Sequence, residues 1–143
     1  IVDDRADIAA LLDAGLHLGQ DDLEPSLARR VLKDGALIGF STHNRAQLVA
    51  AEAEPVDYVA LGPVFSTASK LRPDPVVGLE RLAEWRALTP KPLVAIGGIT
   101  RETAHAVWRA GADTVAVIGD LMPTEMTKTT IRERMEEWLK LTE

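Results

Sequence analysis

Two pairs of aspartates, Asp3-Asp4 in "VDDRADIA" and Asp21-Asp22 in "GLHLGQDDL", each follow a short apolar run. Asp4 and Asp22 follow consecutive parallel strands, so their carboxylates could converge on one hard divalent cation, since Mg²⁺ takes one or two protein carboxylates and fills its remaining positions with water and substrate phosphate oxygens. The ordinary alternative is that they cap the helices that follow, and spacing alone does not choose between the two. Two further strings, "VAIGGIT" (Val94 to Thr100) and "VAVIGD" (Val115 to Asp120), end an apolar run on glycine and pass straight into a helix start. Glycine removes a side chain where backbone N–H groups can approach a phosphate, and a helix N-terminus favours the anion. A tight turn would need the same glycines, but two matching loops favour the phosphate reading. Lys70 sits among Ser66, Thr67 and Ser69, where a flexible ammonium and several hydroxyls would suit an anionic ligand, although a lone loop lysine is normally just solvated. His43, two residues after Ser41, is placed for acid–base work near neutral pH; local capping by Ser41 to Asn44 is an equal alternative. His17 reads as structural and His105 as a surface residue. Hydrolase, zinc and nucleotide readings have no support, because there is no Ser-His-Asp order, His cluster, dinucleotide glycine fingerprint or Walker loop.

The elements that must hold these residues alternate strand and helix, the pattern of parallel βαβ units. Strands are expected at Ile1-Val2, Gly15 to Gly19, Ala36 to Ser41, Asp57 to Gly62, Pro92 to Gly98 and Asp113 to Gly119. Helices are expected over Arg5 to Asp13, Pro25 to Lys33, Arg45 to Ala53, Leu79 to Leu88, Arg101 to Ala110 and Glu125 to Leu141. Ile131, Met135, Trp138 and Leu139 form one stripe of the last helix, expected to pack on the sheet, as are the apolar residues around Ala10, Leu48 to Ala50, Trp85 and Trp108. Near-regular recurrence of like units favours a (β/α)₈ TIM barrel over a doubly wound sheet, with residues 1–143 as one domain. Six units do not close such a barrel, so about two βα units are expected to be missing before Ile1, where "IVDDR" reads as the tail of a strand. The segment Phe65 to Gly78, "FSTASKLRPDPVVG", has no helical period and is expected to act as a lid.

In parallel α/β folds the loops after the strands build the site, so all the residues above converge by topology. Composition narrows the partners. A net charge of -6 with scattered Lys and Arg argues against nucleic acid. The apolar runs are strand-length, so no membrane span is expected. The chain has no cysteine, which removes disulfides and thiolate metal sites and fits a cytoplasmic protein. Whether subunits associate into a homo-oligomer is left open.

Taken together, "VDDRADIA", "GLHLGQDDL", "IGFSTHN", "DYVALGPVFSTASK", "VAIGGIT" and "AGADTVAVIGDL" resemble, in order and spacing, the motifs of thiamin phosphate synthase and its TenI-like relatives. The resemblance covers essentially the whole chain. It implies a transferase that joins 4-amino-2-methyl-5-hydroxymethylpyrimidine diphosphate to thiazole phosphate and releases pyrophosphate with Mg²⁺. By motif, Asp4 and Asp22 would hold Mg²⁺ and Lys70 would contact the diphosphate. Ser41 would lie beside the pyrimidine methylene and Thr67 and Ser69 would line the thiazole side. The amides of Gly98, Ile118 and Gly119 would carry the thiazole phosphate. Two alternatives stand beside it: a TenI-like thiazole tautomerase with His43 moving the proton, and a barrel that binds thiazole or thiamin phosphate without turnover. The chain departs from the family at Asp3, usually Asn and here on the substrate side, at Gly119, commonly Ser, and at Asp120, an added acid near the phosphate.

Overall fold

The computed structural model describes the chain except Ala68, Lys70, Leu71, Pro73 and Glu143. Six strands, β1 (Val2–Asp3), β2 (Leu16–Leu18), β3 (Ile38–Thr42), β4 (Tyr58–Leu61), β5 (Leu93–Ile96) and β6 (Thr114–Ala116), form one sheet in chain order. Every pairing is parallel. The intervening helices are α1 (Ala6–Leu12), α2 (Pro25–Val31), α3 (Arg45–Ala50), α4 (Gly78–Arg86), α5 (Arg101–Arg109) and α6 (Lys128–Lys140). Sequential order without a switch point is the arrangement of a barrel rather than of a doubly wound sheet. None of the described helices is long and apolar enough to cross a membrane.

The two-residue period of a strand sorts the side chains into two layers. Leu16, Leu18, Ile38, Val59, Leu61, Leu93 and Ala95 are buried on the face covered by the helices, which contribute Ala9, Ala28, Leu48, Leu82 and Val107 to the same core. The alternate positions, including His17, Gly39, Ser41 and Tyr58, are left on the inner face. Register aligns Asp3 with His17, His17 with Gly39 and Gly39 with Tyr58, so these four share one row across four strands.

The end of the sheet where the strands begin is tied by a device used twice. Asp57 Oδ2 accepts from Ile38 N at 2.7 Å and pairs with Arg29 of α2 at 2.7 Å. Asp113 Oδ2 accepts from Leu93 N at 2.8 Å and pairs with Arg86 of α4 at 3.3 Å. A carboxylate just before one strand thus satisfies the first amide of the preceding strand and fastens a helix to the sheet. Burial opposes ionisation of Asp57, but the Arg29 guanidinium and the Ile38 amide hold its pKa below the ordinary carboxylate value.

Several expected packing contacts are not made. In α6 only Trp138 is buried; Met135 and Leu139 are more than half exposed. Leu11 and Leu12 of α1 and Val49 of α3 also face outward. A helix beside a sheet buries one stripe, and in α1 that stripe is Ala6 and Ala9. The last helix begins at Lys128 rather than near Glu125, because Thr127 Oγ1 accepts from Thr130 N and caps it there.

Candidate active site

Asp4 is the first residue beyond β1, in a left-handed backbone conformation at φ 62°, which Asp tolerates better than most residues. Its amide donates to His17 O at 2.9 Å, which fixes the backbone beside the end of β2. There Asp22 Oδ2 accepts from Gly19 N at 2.6 Å. The Asp4 and Asp22 side chains are near enough for each to act on the other's charge. Desolvation, then the charges of Asp3 and Asp22, raise the Asp4 pKa above its ordinary value, with His17 acting in the opposite sense. None of the four aspartates caps a helix through its side chain: Arg5 and Glu24 occupy the positions before α1 and α2. Two carboxylates that repel one another are the donor set a dication relieves. Among the described residues no group of three His, Asp or Glu forms a fuller metal site.

On the opposite rim, Gly97 and Gly98 have φ of 95° and 65°. A Cβ on Gly97 would lie 2.5 Å from Pro63 Cβ, and one on Gly98 would lie 2.4 Å from Ser66 O. Both glycines are therefore demanded by close approach of the loop after β4, whose Val64 and Phe65 amides donate to Ile96 O and Gly97 O at 2.9 Å. Gly119 differs: it is exposed, and a Cβ there would meet nothing within 4 Å. Ile118 is exposed beside it. Among the described residues the amides of Gly98 and Gly119 donate to no protein acceptor, which leaves them available to an anion.

Asp120 does not add a free charge to this rim. Its Oδ2 accepts from Trp138 Nε1 at 2.9 Å and from Arg101 Nε at 3.0 Å, and its backbone O accepts from Arg134 at 2.7 Å. It docks α6 onto α5. Its acidity near the phosphate loop, expected from the sequence, is spent on that arginine pair.

Ser41 stands on the inner face of β3. His17 Nε2 lies 2.9 Å from Ser41 Oγ and His17 Nδ1 lies 2.9 Å from Tyr58 Oη. His17, read from the sequence as structural, thus touches Ser41, one of the expected site residues. Burial pushes the His17 pKa below its ordinary value against the pull of Asp3, Asp4 and Asp22, and burial followed by the charge of Asp3 raises that of Tyr58. The signal lies in "GLHLG", where His17 alternates with two core leucines and so must face away from them. Gln20, to which spacing assigns no role, donates from Nε2 to Ser41 O at 2.6 Å and ties the loop after β2 to β3.

His43 Nδ1 donates to Gly62 O at 2.8 Å, with Asp74 Oδ2 3.6 Å away, which leaves Nε2 as the acceptor nitrogen in the neutral ring. The helix-capping role belongs to Asn44, whose Oδ1 accepts from Gln47 N at 3.0 Å. His105 is exposed, stacked edge-on against Trp108. In the loop after β4, Thr67 Oγ1 accepts from Ser69 N at 3.2 Å. The ends of that loop are clipped together by Val77 N to Pro63 O and Gly78 N to Val64 O. Lys70 lies outside the described residues.

The six strands form a parallel α/β sheet of barrel type, with an acidic pair after its first two strands and glycine-ended loops after its last two. The family profile described as thiamine monophosphate synthase matches residues 1–121. A thiamine-phosphate synthase of Koribacter versatilis is 51% identical over 142 residues, covering 99% of this chain and 64% of that protein. One of Chlorobium phaeovibrioides is 43% identical over 146 residues, covering 99% of this chain and 69% of that protein. Among solved structures, the thiamine phosphate pyrophosphorylase of Pyrococcus furiosus superposes with a TM-score of 0.80 at 32% identity, covering 99% of this chain and 68% of that one. The chain belongs to the thiamine monophosphate synthase family. It spans 64% of the length of the Koribacter relative.

Proposed function

We propose that this chain carries the active-site rim of a thiamin phosphate synthase, a transferase joining the pyrimidine diphosphate to thiazole phosphate with release of pyrophosphate. The observation that carries the reading is that Asp4 and Asp22 follow neighbouring parallel strands and act on each other's charge, while among the described residues the amides of Gly98 and Gly119, after the last two strands, donate to no protein acceptor. In this reading the six strands belong to an eight-stranded barrel completed by two further βα units. Its support is that apolar side chains stand exposed along both open edges, Ile1, Leu11 and Leu12 beside β1 and Ile118, Met135 and Leu139 beside β6.

Asp4 and Asp22 fit Mg²⁺ in number and chemistry and would hold it. Bound there, the ion supplies positive charge for the diphosphate oxygens. Ser41 orients the pyrimidine end, Lys70 adds a cation for the departing pyrophosphate, and Thr67 and Ser69 line the thiazole side. The amides of Gly98, Ile118 and Gly119 hold the thiazole phosphate, with Asp3 beside the diphosphate. The methylene C–O bond breaks with its electron pair going to pyrophosphate, and the thiazole nitrogen lone pair forms the new C–N bond. Charge stabilisation, not proton abstraction, is what this step needs from the protein.

The test is release of pyrophosphate by the intact protein given both substrates and Mg²⁺. Asp22→Ala and Lys70→Ala should lose it, and unchanged turnover in either removes the assigned role. Thiazole proton exchange without pyrophosphate would instead indicate a tautomerase working through His43. Ligand binding with neither reaction would indicate a non-catalytic barrel.

A further inference from the structure

We infer that Tyr58 and His17 are positioning residues that act through Ser41. Tyr58 O–H donates to His17 Nδ1, which sets the ring as the Nε2–H tautomer; that N–H donates to Ser41 Oγ, and the Ser41 proton is left to meet an acceptor beside the reacting methylene. The inference rests on the preceding reading for what Ser41 faces, and on the chain of contacts for the rest.

The three residues come from three adjacent strands. His17 of β2 and Tyr58 of β4 cannot touch directly unless the strand between them yields space, and that strand presents Gly39 in the same row. A Cβ on Gly39 would lie 2.0 Å from Tyr58 Cζ and 2.3 Å from its hydroxyl. The phenol therefore crosses over Gly39 to reach the imidazole, whose ring centroid lies 5.6 Å from its own. Glycine is not required there by backbone conformation, since Gly39 does not have positive φ. The gap serves the ring.

Polarity follows from counting protons. A neutral imidazole has one donor and one acceptor nitrogen, and both nitrogens lie at 2.9 Å from a hydroxyl. If Nδ1 carried the proton, Ser41 would donate its own to Nε2, and the Tyr58 proton would have no acceptor among the described residues. With Nε2 protonated, the more acidic phenol donates to the ring, and every donor in the chain is used except Ser41, which stands half-buried on the inner face of the sheet. The tautomer of one ring nitrogen is set by the bond the other makes.

The experiment has two arms on the intact protein. Nitrogen-15 NMR of the His17 ring, assigned by its loss in His17→Gln, should report Nε2–H in the wild type and a mixture of tautomers in Tyr58→Phe. This arm needs no turnover, so it decides the relay even if the wild type releases no pyrophosphate, which would refute the proposed reaction separately. In the kinetic arm, Tyr58→Phe should lower kcat by about two- to ten-fold, the worth of one hydrogen bond, with KM little changed. In a Ser41→Ala background the same substitution should change nothing further. An Nδ1–H ring in the wild type overturns the inference, as does an equal Tyr58→Phe effect with and without Ser41.

Discussion

Gly39→Ala isolates one physical demand of the inner layer. The added methyl would sit 2.0 Å from Tyr58 Cζ and 2.4 Å from Cε2, where carbon atoms normally stay about 3.5–4.0 Å apart. The ring must therefore retreat by roughly 1.5–2 Å. Overpacking of this kind costs about 1–3 kcal/mol, and the Tyr58–His17 hydrogen bond, broken by the same movement, adds about 1 kcal/mol. The expected loss is about 2–4 kcal/mol, read as a lower urea midpoint at unchanged slope. Because Gly39 occupies ordinary strand backbone, no conformational strain contributes, and the whole effect should depend on the ring. Trimming the ring in Gly39→Ala/Tyr58→Ala should recover stability relative to the sum of the single changes, by at least about 1 kcal/mol of coupling. A single substitution within about 0.5 kcal/mol of wild type, or additive behaviour in the double variant, would refute the reasoning.

Other contacts set three further outcomes. Asp4 has a raised pKa in the fold, so the folded state binds its proton more tightly than the unfolded chain and stability falls as pH rises through that window. Asp4→Asn, which keeps a residue suited to positive φ, should therefore raise the melting temperature at pH 7 and lose that advantage below the ordinary value of 3.8. Added Mg²⁺ should stabilise the wild type more than the variant. Asp57→Ala leaves the Ile38 amide and Arg29 without this carboxylate and should cost about 1–3 kcal/mol in denaturant melts. Since the Asp57 pKa is lowered, its contribution is present above the unfolded value and disappears as the pH falls through the folded one. Asp120→Ala strips the acceptor from Trp138 and Arg101 and should free α6, seen as a red-shifted tryptophan emission and faster proteolysis after α5.

Strand ends and the loops after them are legible in the sequence because alternation and glycine punctuation are local properties. Burial of the helix stripes is less legible, because whether Leu11 or Met135 finds a partner depends on neighbours that a single helix does not specify. Asp120 reads as a free acid for the same reason: Trp138, which donates to it, and Arg101, which pairs with its charge, are 18 and 19 residues away in the chain.

Alternation of apolar runs, the position of aspartates after the first two strands and the glycines after the last two were determined by the sequence alone, since each depends on residues within a few positions of one another. Register was decided only in three dimensions. A slip of one residue between β2 and β3 would turn every side chain of one strand to the opposite face, and with it the row that joins His17, Gly39 and Tyr58 would vanish. Hydrogen-bonded pairing across strands, together with the core leucines that hold each strand to its helices, is what brings a phenol, an imidazole and a serine hydroxyl within 2.9 Å steps of each other.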